Sequence, residues 1–173
     1  MVMKTFIIAA ITADGFIGQD NTHLSTKWST KADKKFFMRR TKQAGVALFG
    51  RTTYETFKRA LPERRTIVYT SRPESVAAEG VETISGTPTE VIAKLQQQGV
   101  RELAICGGAK VYAEFLGANL VDELYITVHP IVFGAGIPLF RVPLQRSLKL
   151  LDMQNIGDDT VLLHYKLQTA EAA

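Results

Sequence analysis

Apolar residues in this chain fall into short unbroken blocks, and between the blocks the spacing becomes helical. The run FIIAAI at residues 6–11 is apolar throughout, as suits a strand buried on both faces. VALF at 46–49, TIVY at 66–69 and LAIC at 103–106 have the same character, and VETI at 81–84 is a half-polar version. Ser29 or Thr30 can cap a helix running to about Lys42, with Asp33 in its first turn and Phe36, Phe37 and Arg40 along one side. Gly50-Arg51-Thr52-Thr53 turns into a short helix through Phe57. Thr87-Pro88-Thr89-Glu90 has the spacing of a capping box, with proline at the first helical position, and starts a helix to about Gln98. In residues 109–116, Val111, Tyr112 and Phe115 recur at helical spacing.

Two stretches break this alternation. Residues 12–29 contain Gly15, Gly18 and Asn21 without periodicity, and a loop of that length in a compact domain is often a lid. After a strand at 124–132 and a glycine loop at 133–138, residues 147–156 and 160–167 read as an antiparallel pair joined at Gly157-Asp158-Asp159. Residues 171–173 read as a frayed end. The expected architecture is α/β and three-layered, with a mainly parallel central sheet, an antiparallel C-terminal edge and flanking helices. A single domain over residues 1–173 accommodates it.

Composition narrows the function. The net charge is +4, and no run of basic residues is longer than two. That argues against a nucleic-acid partner and favours an anionic small molecule. Cys106 is the sole cysteine and lies inside an apolar block, so it reads as a buried inert thiol. His23, His129 and His164 do not cluster, which speaks against a metal site. No apolar run reaches membrane-spanning length, and residues 6–11 are too few for a signal segment, so the expected location is the cytoplasm and no membrane partner is expected. A monomer or a homodimer is expected.

The strand-to-helix junctions carry the candidate chemistry. Gly107 and Gly108 separate the block at 103–106 from the helix at 109–116, leaving free N–H donors at a helix N-terminus and no side chain in the way. Gly50-Arg51-Thr52 and Thr70-Ser71-Arg72 add hydroxyls and two guanidinium groups. In open α/β sheets, ligands sit at the carboxyl ends of the strands, so three such junctions point to one extended phosphorylated ligand.

The order of these pieces resembles dihydrofolate reductase. The resembling motifs are ADGFIGQDN at 13–21, Trp28 five residues before Asp33, FGRTTYETF at 49–57, LPERRTIVYTSRP at 61–73, ICGGAKVYAEFL at 105–116 and LYIT at 124–127. Residues 121–140, VDELYITVHPIVFGAGIPLF, are more similar to the reductase domain of riboflavin biosynthesis, which shares the fold. The resemblance implies a catalytic group of Asp33, Trp28 and Thr127, with Asp33 the acidic group of the pterin pocket and Thr127 its hydroxyl partner. It implies substrate contacts from Phe37, Phe57, Ile11 and Cys106, and from Arg64 as the partner of the folate glutamate carboxylate. It also implies NADPH as cofactor. Ala10, Ile17, Gly18 and Tyr112 would line the nicotinamide; Gly107, Gly108, Lys110 and Val111 the pyrophosphate turn; and Gly50, Arg51, Thr52, Thr70, Ser71 and Arg72 the adenosine phosphates.

The chain departs from that pattern in three places. Lys27 precedes Trp28, Lys31 stands where a proline is expected, and Lys34 replaces an apolar residue beside the acid. The lid at 23–27 is also longer than in compact members. The reading the features support together is NADPH-dependent reduction of 7,8-dihydrofolate, or a close pterin, to the tetrahydro form used in one-carbon metabolism. One alternative is a riboflavin-type reductase acting on a phosphorylated ribosylaminopyrimidine, for which residues 121–140 speak. Another is a non-catalytic NADP-binding protein, for which Lys31 and Lys34 are the hint.

Overall fold

The structure is a computed structural model describing residues 3–23 and 25–168. The expectation for residues 171–173 lies outside the described residues. Eight strands form one sheet: β1 (Lys4–Thr12), β3 (Val46–Gly50), β4 (Arg65–Tyr69), β5 (Val81–Ile84), β6 (Glu102–Ile105), β7 (Glu123–His129), β9 (Leu148–Gly157) and β10 (Thr160–Leu167). Their order is β5-β4-β3-β6-β1-β7-β10-β9. The first six are mutually parallel; β10 runs antiparallel to β7, and β9 antiparallel to β10. A small ribbon pairs β2 (Phe16–Gly18) with β8 (Ile137–Pro138).

The helices are α1 (Ser25–Trp28), α2 (Lys31–Ala44), α3 (Arg51–Tyr54), α4 (Pro88–Gln97) and α5 (Ala109–Gly117). Val91 and Leu95 of α4 and Val111, Phe115 and Leu116 of α5 pack with Ile7, Leu48, Ile105 and Leu124 in one core. Phe36 of α2 packs with Phe6, Ala47, Val68 and Ala104 in the other. Along β1 and β3, successive side chains therefore enter opposite cores, which is why those blocks are apolar without interruption. The three-layer α/β architecture expected from the pattern is the one observed.

Local chemistry sets the helix ends. The Thr30 hydroxyl accepts from the Asp33 N–H, and Gly45 closes α2 at φ 75°. Thr87 and Glu90 form the expected capping box. Arg40 fastens α2 to the sheet: its guanidinium lies 3.8 Å from the Phe6 ring centroid and donates to both carboxylate oxygens of Glu102, at 3.2 and 2.6 Å.

The structure departs from the pattern-based boundaries in α3, in β7 and in the two stretches expected as loops. The helix after Gly50 ends at Tyr54 rather than Phe57, the chain turning through Lys58 at φ 46°. β7 stops at His129 rather than 132, because Pro130 has no N–H to offer a ladder. Residues 12–29 and 133–138, expected as loops, hold β2, α1 and β8. A three-residue strand forms there only because a partner arrives from about 120 residues away, and local periodicity carries no sign of that.

Candidate active site

The carboxyl ends of β1, β3, β4 and β6 open into a single cleft of about 900 Å³. That is ample for a ligand larger than a mononucleotide. One half is built on α2 and the acid. Asp33 sits in the first turn of α2, 8% exposed, with its backbone N–H donating to Thr30. The Thr127 hydroxyl donates to Asp33 Oδ1 at 2.6 Å. Phe37, one turn further along α2, lines the same space, as do Phe49, Phe57, Met38 and Cys106. Burial pushes the Cys106 thiol well up, so it serves as packing and not as a nucleophile.

Sequence reasoning missed His129. It is 1% exposed, its Nε2 lies 3.3 Å from Thr127 Oγ1 and 3.8 Å from Asp33 Oδ1, and its Nδ1 is buried without a partner among the described residues. With the threonine proton given to Asp33, the hydroxyl lone pairs are free to accept from His129 Nε2–H. The Trp28 ring meets His129 edge-on at 5.1 Å and Phe133 at 5.5 Å, and His23 packs on Phe133 at 5.4 Å. A run of rings thus ties the loop over the cleft to the buried acid. A lone histidine at a strand end gave no signal for this in the sequence.

The other half of the cleft is the glycine junction. Gly108 caps α5 with no side-chain bond, so the first N–H groups of that helix face the cleft. Tyr112 donates to the Ile8 carbonyl at 2.9 Å and fixes α5 against β1. An added side chain would be crowded at three points. A Cβ at Gly50 would lie 2.7 Å from Val111 Cγ2, at Gly108 3.1 Å from Thr53 Oγ1, and at Gly107, with φ +112°, 3.0 Å from the Tyr112 hydroxyl. Arg51, Thr52, Thr53, Thr70, Ser71 and Arg72 complete the wall, and this set of donors and cations suits a dinucleotide bearing an extra phosphate. Replacing Gly107 by alanine strains φ and crowds Tyr112. We expect it to cost about 1–2 kcal/mol of stability and to lower the melting temperature by roughly 2–8 °C, which calorimetry reads directly.

Of the residues expected at the site, Asp33, Phe37, Phe57, Cys106, Ala10, Ile17, Gly18, Gly50, Arg51, Thr52, Thr70, Ser71, Arg72, Gly107, Gly108, Lys110, Val111 and Tyr112 line the one cleft. Four do not line it. Ile11 packs against the core that holds α4 and α5. Thr127 stands behind Asp33, and Trp28 turns its ring onto His129. Arg64 donates to the Pro62 carbonyl at 2.9 Å, the Met38 carbonyl at 3.1 Å and the Thr41 hydroxyl, holding the rim next to Met38. Two cations that line the cleft were not anticipated there, Arg59 and Arg141, and Lys34 joins them. Arg51 also has an acidic neighbour that the sequence reading did not weigh: its guanidinium pairs with Glu55, one turn on.

A family model described as dihydrofolate reductase matches residues 4–134. Among relatives, the chain is 36% identical over 125 residues to dihydrofolate reductase type 3 of Salmonella typhimurium, covering 72% of this chain and 71% of that one. It is 29% identical over 175 residues to the protein YwjB of Bacillus subtilis, covering 95% and 98%. Among solved structures, dihydrofolate reductase from Enterococcus faecalis in complex with NADP(H) superposes with a TM-score of 0.73 at 25% identity, covering 96% of this chain and 97% of that one. A putative riboflavin biosynthesis protein from Shewanella sp. superposes with a TM-score of 0.77 at 24% identity, covering 96% and 100%, and shares the fold.

Proposed function

The chain belongs to the dihydrofolate reductase family, and we propose that it reduces 7,8-dihydrofolate, or a close pterin, to the tetrahydro form in the cytoplasm. That it is an NADP-linked reductase with NADPH as cofactor follows from the family and from the NADP(H)-bound relative. The substrate is the proposal. One observation carries it: a buried carboxylate, Asp33, fixed by a threonine hydroxyl at 2.6 Å and facing the cleft beside Phe37.

Reducing a C=N bond takes a hydride on carbon and a proton on nitrogen. NADPH, when bound, supplies the hydride. Asp33 grips the amidine-like edge of a pterin (N–C–NH2) through two hydrogen bonds, and thereby sets the ring plane. Thr127 orients the carboxylate, and His129 in turn orients Thr127. The proton reaches the ring nitrogen from the Asp33 side. Phe37 and Phe57 supply apolar contact to the ring. Trp28, Phe133 and His23 keep bulk water from the acid.

The riboflavin-type alternative draws support from Lys34, Arg59 and Arg141 in the cleft, three cations able to meet a substrate phosphate. Arg64 separates the two readings. Under the folate reading it holds the glutamate tail. Arg64→Ala is then expected to raise KM about 10-fold for dihydrofolate, roughly 1.4 kcal/mol, and to leave a tail-less dihydropterin unchanged. Steady-state kinetics on both substrates test this, and equal effects on the two, or none on either, would favour the phosphorylated ribosylaminopyrimidine.

A further inference from the structure

Away from the cleft, apolar side chains are exposed most densely along β9. Leu148, Leu150, Leu151 and Met153 are 39–64% exposed, and Val142, in the segment leading into the strand, is 48% exposed. β9 is the last strand in the sheet order, so one of its edges pairs with β10 and the other has no neighbour among the described residues. Bare edges template further pairing, and natural ones are usually short, charged or broken by proline. This one is ten residues long and contains no proline.

Its pairing with β10 fixes which way the side chains point. Leu148, Leu150 and Met153 lie opposite Leu167, Tyr165 and Leu163, whereas Lys149, Asp152 and Gln154 lie opposite Lys166, His164 and Leu162. The ladder skips Leu151, a one-residue bulge. Because of that extra residue, Lys149 and Asp152 share one face and Leu148 and Met153 share the other. In a regular strand, residues three or five apart fall on opposite faces. Read outward from the bulge, the segment is therefore self-complementary: leucine with leucine at the centre, lysine with aspartate next, leucine with methionine outside.

We propose that β9 is a homodimer seam, along which a second copy of this chain pairs antiparallel about a twofold axis at Leu150 and Leu151. Such an axis sets Lys149 against the partner's Asp152, and Leu148 against the partner's Met153, each twice. Within one chain Lys149 faces Lys166 across the ladder. Like charges so placed destabilise a sheet, and the partner's Asp152 offsets them. A uniformly acidic or basic partner strand would satisfy one of the two charges and oppose the other, so a second copy fits best. The four exposed apolar side chains of β9, together with the backbone edge and its polar rim, contribute toward the roughly 800 Å² that each side of a standard interface buries.

Sedimentation velocity from roughly 1 to 100 μM tests the seam. The wild type should sediment at twice the chain mass. Leu150→Lys with Met153→Lys should sediment at the chain mass, with unchanged far-UV circular dichroism. Lys149→Asp alone and Asp152→Lys alone each set like charges across the axis, and each should weaken the dimer about tenfold or more. The two together restore opposite charges and should recover wild-type association. The charge variants read the seam even where the double lysine variant fails to fold. A monomeric wild type throughout, a folded double lysine variant that stays dimeric, or a folded charge swap that fails to recover association would each overturn the proposal.

Discussion

Asp33→Asn is expected to lower the turnover of dihydrofolate by roughly 100-fold or more and to leave NADPH affinity within about twofold. Asparagine keeps the size of the side chain and still accepts from Thr127. It cannot carry the charge that grips an amidine edge or take part in the proton transfer. The acid lies on α2, whereas the glycine junction is built on β3, β4 and β6. The cofactor half of the cleft therefore has no reason to respond. Stopped-flow hydride transfer together with cofactor titration reads both halves. Wild-type turnover in the variant at neutral and alkaline pH would remove Asp33 from the catalytic group.

The second large effect is on cofactor choice. Arg51→Ala is expected to weaken NADPH binding by roughly 10- to 150-fold, about 1.5–3 kcal/mol, and to change NADH binding little. Arg51 opens α3 directly after Gly50, and Ser71 and Arg72 line the same end of the cleft. Glu55 pairs with Arg51 in the structure, yet both side chains are substantially exposed, 37% and 44%. An exposed pair is worth only about 0.2–1 kcal/mol, so a phosphate dianion displaces Glu55 from the arginine at small cost. Titration of both nucleotides into both proteins measures the selectivity. Equal weakening of NADPH and NADH would place the extra phosphate elsewhere.

What the sequence revealed follows from how local its causes are. The central strands β1, β3, β4 and β6 were legible because a strand covered on both faces must be apolar along its buried run, as residues 6–11 are. α4 was legible from Thr87, Pro88 and Glu90 alone, since a capping box lies within four residues. The glycine wall of the cleft was legible because glycines at strand ends answer to a backbone need. Features that depend on distant partners were not legible. β2 needs β8, His129 matters only once Trp28 and Thr127 close on it, and Arg64 is drawn to the α2 backbone at Met38. The bulge at Leu151, on which the proposed seam depends, appears only when β10 lies beside β9.

The central claim is that Asp33 and the glycine junction together make this chain a reductase of dihydrofolate. It meets its most direct test in the initial rate of NADPH oxidation by the purified protein, with dihydrofolate and with a phosphorylated ribosylaminopyrimidine compared side by side. The account predicts a kcat/KM for dihydrofolate at least tenfold above that for the ribosylaminopyrimidine, in line with the roughly 1.4 kcal/mol that one buried charged contact supplies. A preference of that size in the opposite direction, or no oxidation with dihydrofolate at any concentration, would contradict it.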